Sequence, residues 1–320
     1  MLLHLVRGSG LAGLAGMQAL TLIGGLTVLR PLLTMPRKQV MRHIAARQLP
    51  YAMDSSNAAD QYSRNRMRHA FAPAAESINT AYHDHFQQVA TTAAAADRLL
   101  REQMGEVAAR GRNATFISID TATLKKYHQL QRFYWWQAAL PQGVPLTTAR
   151  FRVLERFLAI GAARWQEAGV AAEVWRGRLF VYDPAAVAVP APAAVRLHGC
   201  ERLREWNLTL ESTALPAWPP ALPDGAAVFA AAALRGPFLL RGRRPGDAFP
   251  PAGMGGQQQR LKEFLPGCGI PRFLRDRIPL LTDTGRDGNI IWVVGHRLAA
   301  DAAGRYDGDD LRMVTVREGV

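Results

Sequence analysis

The sequence is poor in cysteine, poor in acid and without any of the common catalytic groupings. Its 320 residues include two cysteines, Cys200 and Cys268, without CxxC spacing. That excludes a disulfide framework and a thiolate zinc site, and it fits a reducing cytoplasm. Lys and Arg outnumber Asp and Glu by 39 to 26, a net charge of +13, so a polyanion is the favoured partner, nucleic acid first and an anionic membrane surface second. No internal repeat is evident, which excludes a solenoid. No Ser/His/Asp constellation stands out, and His83-Asp84-His85, inside an Ala-rich stretch, lacks the spacing of metal ligands.

Charge is missing altogether between Gly8 and Leu29. Those 22 residues are long enough to cross a bilayer and, behind Arg7, resemble a signal peptide. Six of them are glycines, however, with Ser9, Gln18, Thr21 and Thr27 interspersed, and each Gly weakens an isolated helix by roughly 1 kcal/mol relative to Ala. The run therefore reads as a Gly-rich loop, and no membrane partner is expected. What is abundant is apolar: a 48% hydrophobic content supports packed cores in two or three domains.

Along the chain, residues 1–7 read as the end of a helix, 8–17 as a Gly-rich loop and 26–33 as a short buried strand. A helix follows, with Thr34 as its cap, Pro36 in its first turn and an apolar stripe at Val40, Met41, Ile44 and Ala45; Pro50 ends it. Residues 77–110 form a long helical stretch, and helical patterning resumes from 124. It changes period at "AAEVWRGRLFVYD", a hairpin around Arg176–Arg178. The Pro/Ala-rich stretch 184–235 reads as a linker with a pair of strands in it. Beyond it come one helix at 257–266, a second around 271–277, and the strands "NIIWVVG" and "LRMVTV".

The positive charge is concentrated in two places. Between residues 30 and 69, eight basic residues face two acidic ones. Within this stretch Arg64, Asn65, Arg66 and Arg68 offer guanidinium forks suited to phosphate oxygens, the alternative being a solvated face paired with Asp54 and Asp60. From 235 to 277, Arg235, Arg241, Arg243, Arg244, Arg260, Lys262, Arg272, Arg275 and Arg277 face only Asp247, Glu263 and Asp276. Two basic patches far apart in sequence suit an extended polyanion gripped at two points. The cluster Phe133, Tyr134, Trp135 and Trp136 has the chemistry to stack on bases, although core packing is the favoured reading.

Two ordered sets of motifs carry a resemblance. "RPLLTMPRKQV", "LPYAMDSSN" and "YSRNRMRHA" in the first patch, and "RRPGD", "GMGG", "RLKEFL" and "RDRIPLLTD" in the second, closely resemble the tRNA(Ile)-lysidine synthetase family. The resemblance covers essentially the whole chain and is strongest at 4–73 and 236–298. It implies an α/β remnant of an ATP-pyrophosphatase-type (adenine nucleotide alpha hydrolase-like) domain over 1–73, and a mainly α-helical tRNA-recognition domain over 74–183. A Pro/Ala-rich linker over 184–235 and a small α+β C-terminal tRNA-binding domain over 236–320 complete the expected order. "LLHLVRGSGLAGLAGM" then resembles an internal catalytic-domain segment, so the chain is expected to lack the preceding part of that domain.

The implied reaction is ATP-dependent ligation of free lysine to the wobble cytidine of an isoleucine tRNA, with Mg²⁺, in the cytoplasm. The family's S-G-G-x-D-S nucleotide loop and its H-x-x-D-D-x-x-E-T acidic motif are both absent here, so no catalytic residue is assigned and no metal site is expected. A non-catalytic tRNA-binding fragment is the alternative, and a homodimer is left open. By the same resemblance Arg7, Gly8, Ser9 and Gly10 line what remains of the nucleotide/lysine site. Arg64, Asn65, Arg66, Arg68, Arg243, Arg244, Lys262, Arg272, Arg275 and Arg277 are the expected tRNA contacts.

Overall fold

A computed structural model of the chain describes residues 2–6, 8–52, 70–234, 236–286, 288–304 and 310–318. It divides into two compact units, Met1–Arg110 with His128–Ala138, and Gly111–Tyr127 with Ala139–Val320. The first unit begins with two short helices, α1 (Leu2–Val6) and α2 (Leu11–Leu14), and a hairpin of β1 (Leu20–Ile23) and β2 (Leu26–Leu29). Next come α3 (Arg37–Ala46), α4 (Ala72–Ile78) and the long α5 (Tyr82–Arg110). The chain then visits the second unit through β3 (Phe116–Asp120) and α6 (Thr121–Lys126), and returns to the first as α7 (Gln129–Ala139).

Helix α2 lies against α5, and Gly13 allows the preceding turn to close on it. A Cβ there would stand 2.2 Å from Ser9 Cβ. The β1–β2 turn needs Gly24 and Gly25, both at positive φ. The buried strand expected at 26–33 is instead a hairpin strand with Leu26 and Leu29 exposed. The helix expected after Thr34 begins later, with Pro36 as its N-cap. The long helical stretch divides into α4 and α5 at Asn79–Ala81, where the Asn79 side chain accepts from Ala81 N–H at 2.8 Å and ends the ladder. Tyr134 on α7 donates to Asp97 on α5 at 2.6 Å, while Trp135 and Trp136 are fully buried.

The second unit continues with α8 (Thr148–Ile160), β4 (Arg164–Glu167), β5 (Val170–Trp175) and β6 (Arg178–Tyr182). Thr147 caps α8 by accepting from Arg150 N–H at 3.1 Å, and Gly161 closes it in the left-handed region. Strands β3 to β6 make an antiparallel sheet in the order β3-β6-β5-β4. The expected hairpin is present, its two-residue turn formed by Arg176 and Gly177 at positive φ. The stretch from 124 is thus helical only as far as Ile160, and a four-stranded sheet completes it.

The next four strands are β7 (Ala193–Val195), β8 (Gly199–Leu203), β9 (Leu208–Leu215) and β10 (Ala226–Ala230). They are followed by β11 (Phe238–Arg241), β12 (Ala248–Phe249), β13 (Gln259–Arg260) and α9 (Leu261–Gly267). The chain ends with β14 (Leu280–Asp283), β15 (Asn289–Val293), β16 (Arg297–Leu298) and β17 (Leu311–Glu318). A five-stranded sheet, β16-β15-β14-β11-β7, and a four-stranded one, β10-β17-β9-β8, are antiparallel throughout. Leu210, Phe229 and Val314 from one sheet and Leu240, Leu280 and Ile291 from the other share one core with Leu261 and Leu265 of α9. Each such side chain contributes roughly 1.5–3 kcal/mol by leaving water.

The segment 184–235, expected as a linker, is therefore woven into both sheets through β7 to β10. Its prolines lie in the connections, where no ladder donor is lost. The helix expected at 257–266 begins only at Leu261, because Gln259 and Arg260 pair with β12. The second expected helix is a single 3₁₀ turn at Arg272–Leu274.

The loop after β11 is locked by one carboxylate. Asp247 accepts two bonds from the Arg241 guanidinium, at 2.7 and 2.9 Å, and a third from Arg244 N–H at 2.7 Å. Its own carbonyl accepts from Leu261 N–H at 2.9 Å. Gly242 fits because a Cβ there would lie 2.6 Å from Asp276 O. The Arg241 and Asp247 side chains are 8% and 12% exposed, so removing one partner strands a buried charge. Asp247→Ala is expected to cost about 3–5 kcal/mol, measured as a lower urea midpoint for the second unit. Arg244→Ala, at an exposed side chain, is expected to stay within about 0.5 kcal/mol; equal losses would contradict this assignment.

Candidate functional site

The two clusters expected to act are placed very differently. At the N-terminus, Gly8 and Gly10 are exposed and Ser9 is half-buried. Gly8 N–H donates to Leu5 O at 3.0 Å and Ser9 N–H to His4 O at 2.9 Å, closing the end of α1. Arg7, Arg64, Asn65, Arg66 and Arg68 lie outside the described residues. Cys200 is exposed, Cys268 is half-buried, and both are free thiols. Among the described residues no group of three or more His, Cys, Asp or Glu side chains could hold a metal. Among the same residues no helix is long and apolar enough to cross a membrane.

The C-terminal arginines divide by what they touch. Arg241 belongs to the buried pair with Asp247. Arg243 bonds Asp276 through Nε at 2.8 Å and again through Nη2. Arg275 Nε donates to Ile270 O at 3.0 Å, and Arg277 Nη1 donates to the carbonyls of Ala186 and Ala188. Expected as tRNA contacts, Arg243, Arg275 and Arg277 are committed at least in part to holding the fold. A guanidinium with five donors is well suited to satisfying backbone carbonyls at such a junction.

Three other basic side chains are free. Arg244, Arg260 and Lys262 are exposed and bond to no side chain or carbonyl among the described residues. Pairing of Ala248 with Arg260 and the bond from Leu261 N–H to Asp247 O bring the loop carrying Arg244 beside the start of α9, which carries Lys262. The three exposed positive side chains thus stand on neighbouring segments of one base. A groove along the loop is lined by Arg244, Gly246 and Asp247 on one side and by Thr282, Thr284 and Asn289 on the other.

A second cluster was not anticipated from the sequence. Glu173 on β5 is 4% exposed, and Arg272 N–H donates to its Oε1 at 3.1 Å. Burial pushes its carboxyl above the ordinary range, against the pull of that bond and of Arg164, Arg272 and Arg275 nearby. Glu173 is the single charged residue in Val170–Trp175, and a lone acid in an apolar strand is the signal that would have found it. Phe273, next to Arg272, stacks on Tyr182 at 4.0 Å.

Comparison with known proteins places these features. The PP-loop domain family matches residues 1–75 and the TilS substrate C-terminal domain family matches residues 239–313. The tRNA(Ile)-lysidine synthase of Symbiobacterium thermophilum is 30% identical over 318 residues, covering 92% of this chain and 65% of that protein. Those of Chromobacterium violaceum and Geobacter sulfurreducens are 30% and 28% identical, covering 94% of this chain and 68% and 65% of theirs. The chain thus spans about two thirds of the length of these relatives. The match runs through nearly the whole chain, with a PP-loop family at one end and a substrate-domain family at the other; the chain belongs to the tRNA(Ile)-lysidine synthase family.

Proposed function

We propose that these residues grip an isoleucine tRNA within a cytoplasmic tRNA(Ile)-lysidine synthase, the enzyme that uses ATP to join free lysine to the wobble cytidine. The observation that carries the reading is the patch of Arg244, Arg260 and Lys262, which have no internal partner among the described residues and stand on a domain of the substrate-binding family. Guanidinium and ammonium groups held on a rigid loop and helix bind phosphate oxygens without first breaking an internal ion pair. Arg243 and Arg272 lie in the same part of the chain and add to the local field.

The ATP-dependent step belongs elsewhere. The S-G-G-x-D-S loop does not occur in these 320 residues, and of the four residues expected at the nucleotide/lysine-site remnant, Gly8 and Ser9 already donate their N–H groups to the Leu5 and His4 carbonyls. ATP, Mg²⁺ and lysine therefore require a segment carrying that loop. This observation also supports the second reading, a chain that binds tRNA without modifying it.

Lysine incorporation into isoleucine tRNA separates the two readings, with this chain alone and with a form extended by the sequence encoded before Met1. Activity in the extended form alone is the expected result. Binding without incorporation in either form favours the second reading, and failure to bind tRNA contradicts both. For the patch, Arg244→Ala, Arg260→Ala and Lys262→Ala together are expected to weaken binding at every salt concentration. They should also reduce the slope of log affinity against log salt by about 2–3, with an unchanged melting temperature.

A further inference from the structure

The segment Ile270–Arg277 lies across one face of the β3–β6 sheet. Residues paired across antiparallel strands share a face, and the register sets Arg164 opposite Glu173, Glu173 opposite Phe180, and Tyr182 opposite Phe116. Phe273 contacts Phe116, Phe180 and Tyr182 on this face. Glu173 lies beside that aromatic set, with Arg164 on the edge strand β4 and Arg272 on the crossing segment. Its Oε1 is bonded to Arg272 N–H, and its Oε2 has no hydrogen-bond partner among the described residues.

Arg164 and Arg272 are exposed, while Arg275 is half-buried and bonded to Ile270 O. Arg164, Arg272 and Arg275 thus all act on the Glu173 carboxylate from nearby, and Arg164 and Arg272 are the two that are exposed. Arg164 is steadied by Nη2, which donates to Gln166 Oε1 at 2.8 Å. Its remaining donors keep the fork geometry that matches a phosphate.

We propose that Arg164 and Arg272 form a phosphate clamp for the RNA backbone where the β3–β6 sheet meets the Ile270–Arg277 segment, with buried Glu173 as the positioning residue that holds the two forks side by side. The clamp rests on the reading that this chain binds tRNA, and it adds a contact on a strand that lies outside the basic patches of the sequence. Glu173 cancels part of the repulsion between the arginines and ties the backbone of one to the strand facing the other. Neither effect requires Glu173 to touch RNA.

The test is isoleucine tRNA affinity across a salt series for wild type, Arg164→Ala, Arg164→Lys and Glu173→Gln, with melting curves for each. Arg164→Ala is expected to weaken binding about tenfold and to lower the salt slope by about one. Arg164→Lys, which keeps the charge and loses the fork, should restore the slope and only part of the affinity. Glu173→Gln retains an oxygen for Arg272 N–H yet makes the protein one charge more positive. A clamp needing Glu173 as positioner predicts weaker binding despite that added charge, whereas tighter binding would overturn the positioning role. Should Glu173→Gln fail to fold, the Arg164 variants, at an exposed side chain, decide the clamp by themselves. Wild-type binding with Arg164→Ala unchanged in affinity and slope would overturn the clamp alone. Absence of wild-type binding would contradict the tRNA-binding reading and the clamp with it.

Discussion

Phe273 docks the Ile270–Arg277 segment onto the β3–β6 sheet. Its ring stacks on Tyr182 with an interplanar angle of 11° and meets the edges of Phe116 and Phe180. The next residue, Leu274, packs against both the small core of the β3–β6 sheet and the large core of the C-terminal sheets. One 3₁₀ turn thereby joins two hydrophobic cores. The surrounding polar bonds follow from that docking. Arg176 Nη2 reaches Pro266 O at 2.9 Å, Arg272 N–H reaches Glu173, and Arg277 reaches the carbonyls of Ala186 and Ala188. Of these acceptors Glu173 is the buried one, and its oxygen would be costly without the Arg272 N–H.

Seen from the seam, positive charge has two uses in the same short stretch. Arg241, Arg243, Arg275 and Arg277 spend donors on Asp247, Asp276 and main-chain carbonyls. Arg244, Arg260, Lys262, Arg272 and Arg164 carry their charge to the surface. The first group builds the rigid base on which the second is displayed. Such a base matters for a polyanion ligand, because ordering long side chains at the moment of binding costs about 0.5–1.5 kcal/mol for each one immobilised. An arginine-rich motif is therefore a poor guide to which arginine meets the ligand.

Much of the fold is legible in the sequence wherever local chemistry decides it. The Arg176–Gly177 turn, the strands at Asn289–Val293 and Leu311–Glu318, and the helix ahead of Pro50 all follow from period and turn residues. The segment 184–235 misleads because its composition is that of a linker, while β7 to β10 themselves contain no proline and take their register from strands such as β11 and β17. The apolar run Leu26–Leu29 misleads differently: nothing in a uniformly apolar stretch marks which side is covered. In the site, charge counting finds the patch but not its division. The partners of Arg243 and Arg277 lie 33 and about 90 residues away, a separation that only the tertiary fold closes. Arg64, Asn65, Arg66 and Arg68, the other motif of the resemblance, lie outside the described residues.

We infer that tRNA rests on the surface built around the seam and the Asp247 loop. Hydrogen exchange of the protein with and without isoleucine tRNA, resolved by peptide, tests it most directly. Slower exchange on tRNA addition is predicted for peptides covering 164–175, 241–262 and 270–277, while β9 and β14, interior strands of their sheets, stay as protected as before. Unchanged exchange across those three stretches with tRNA bound would place the tRNA on another surface.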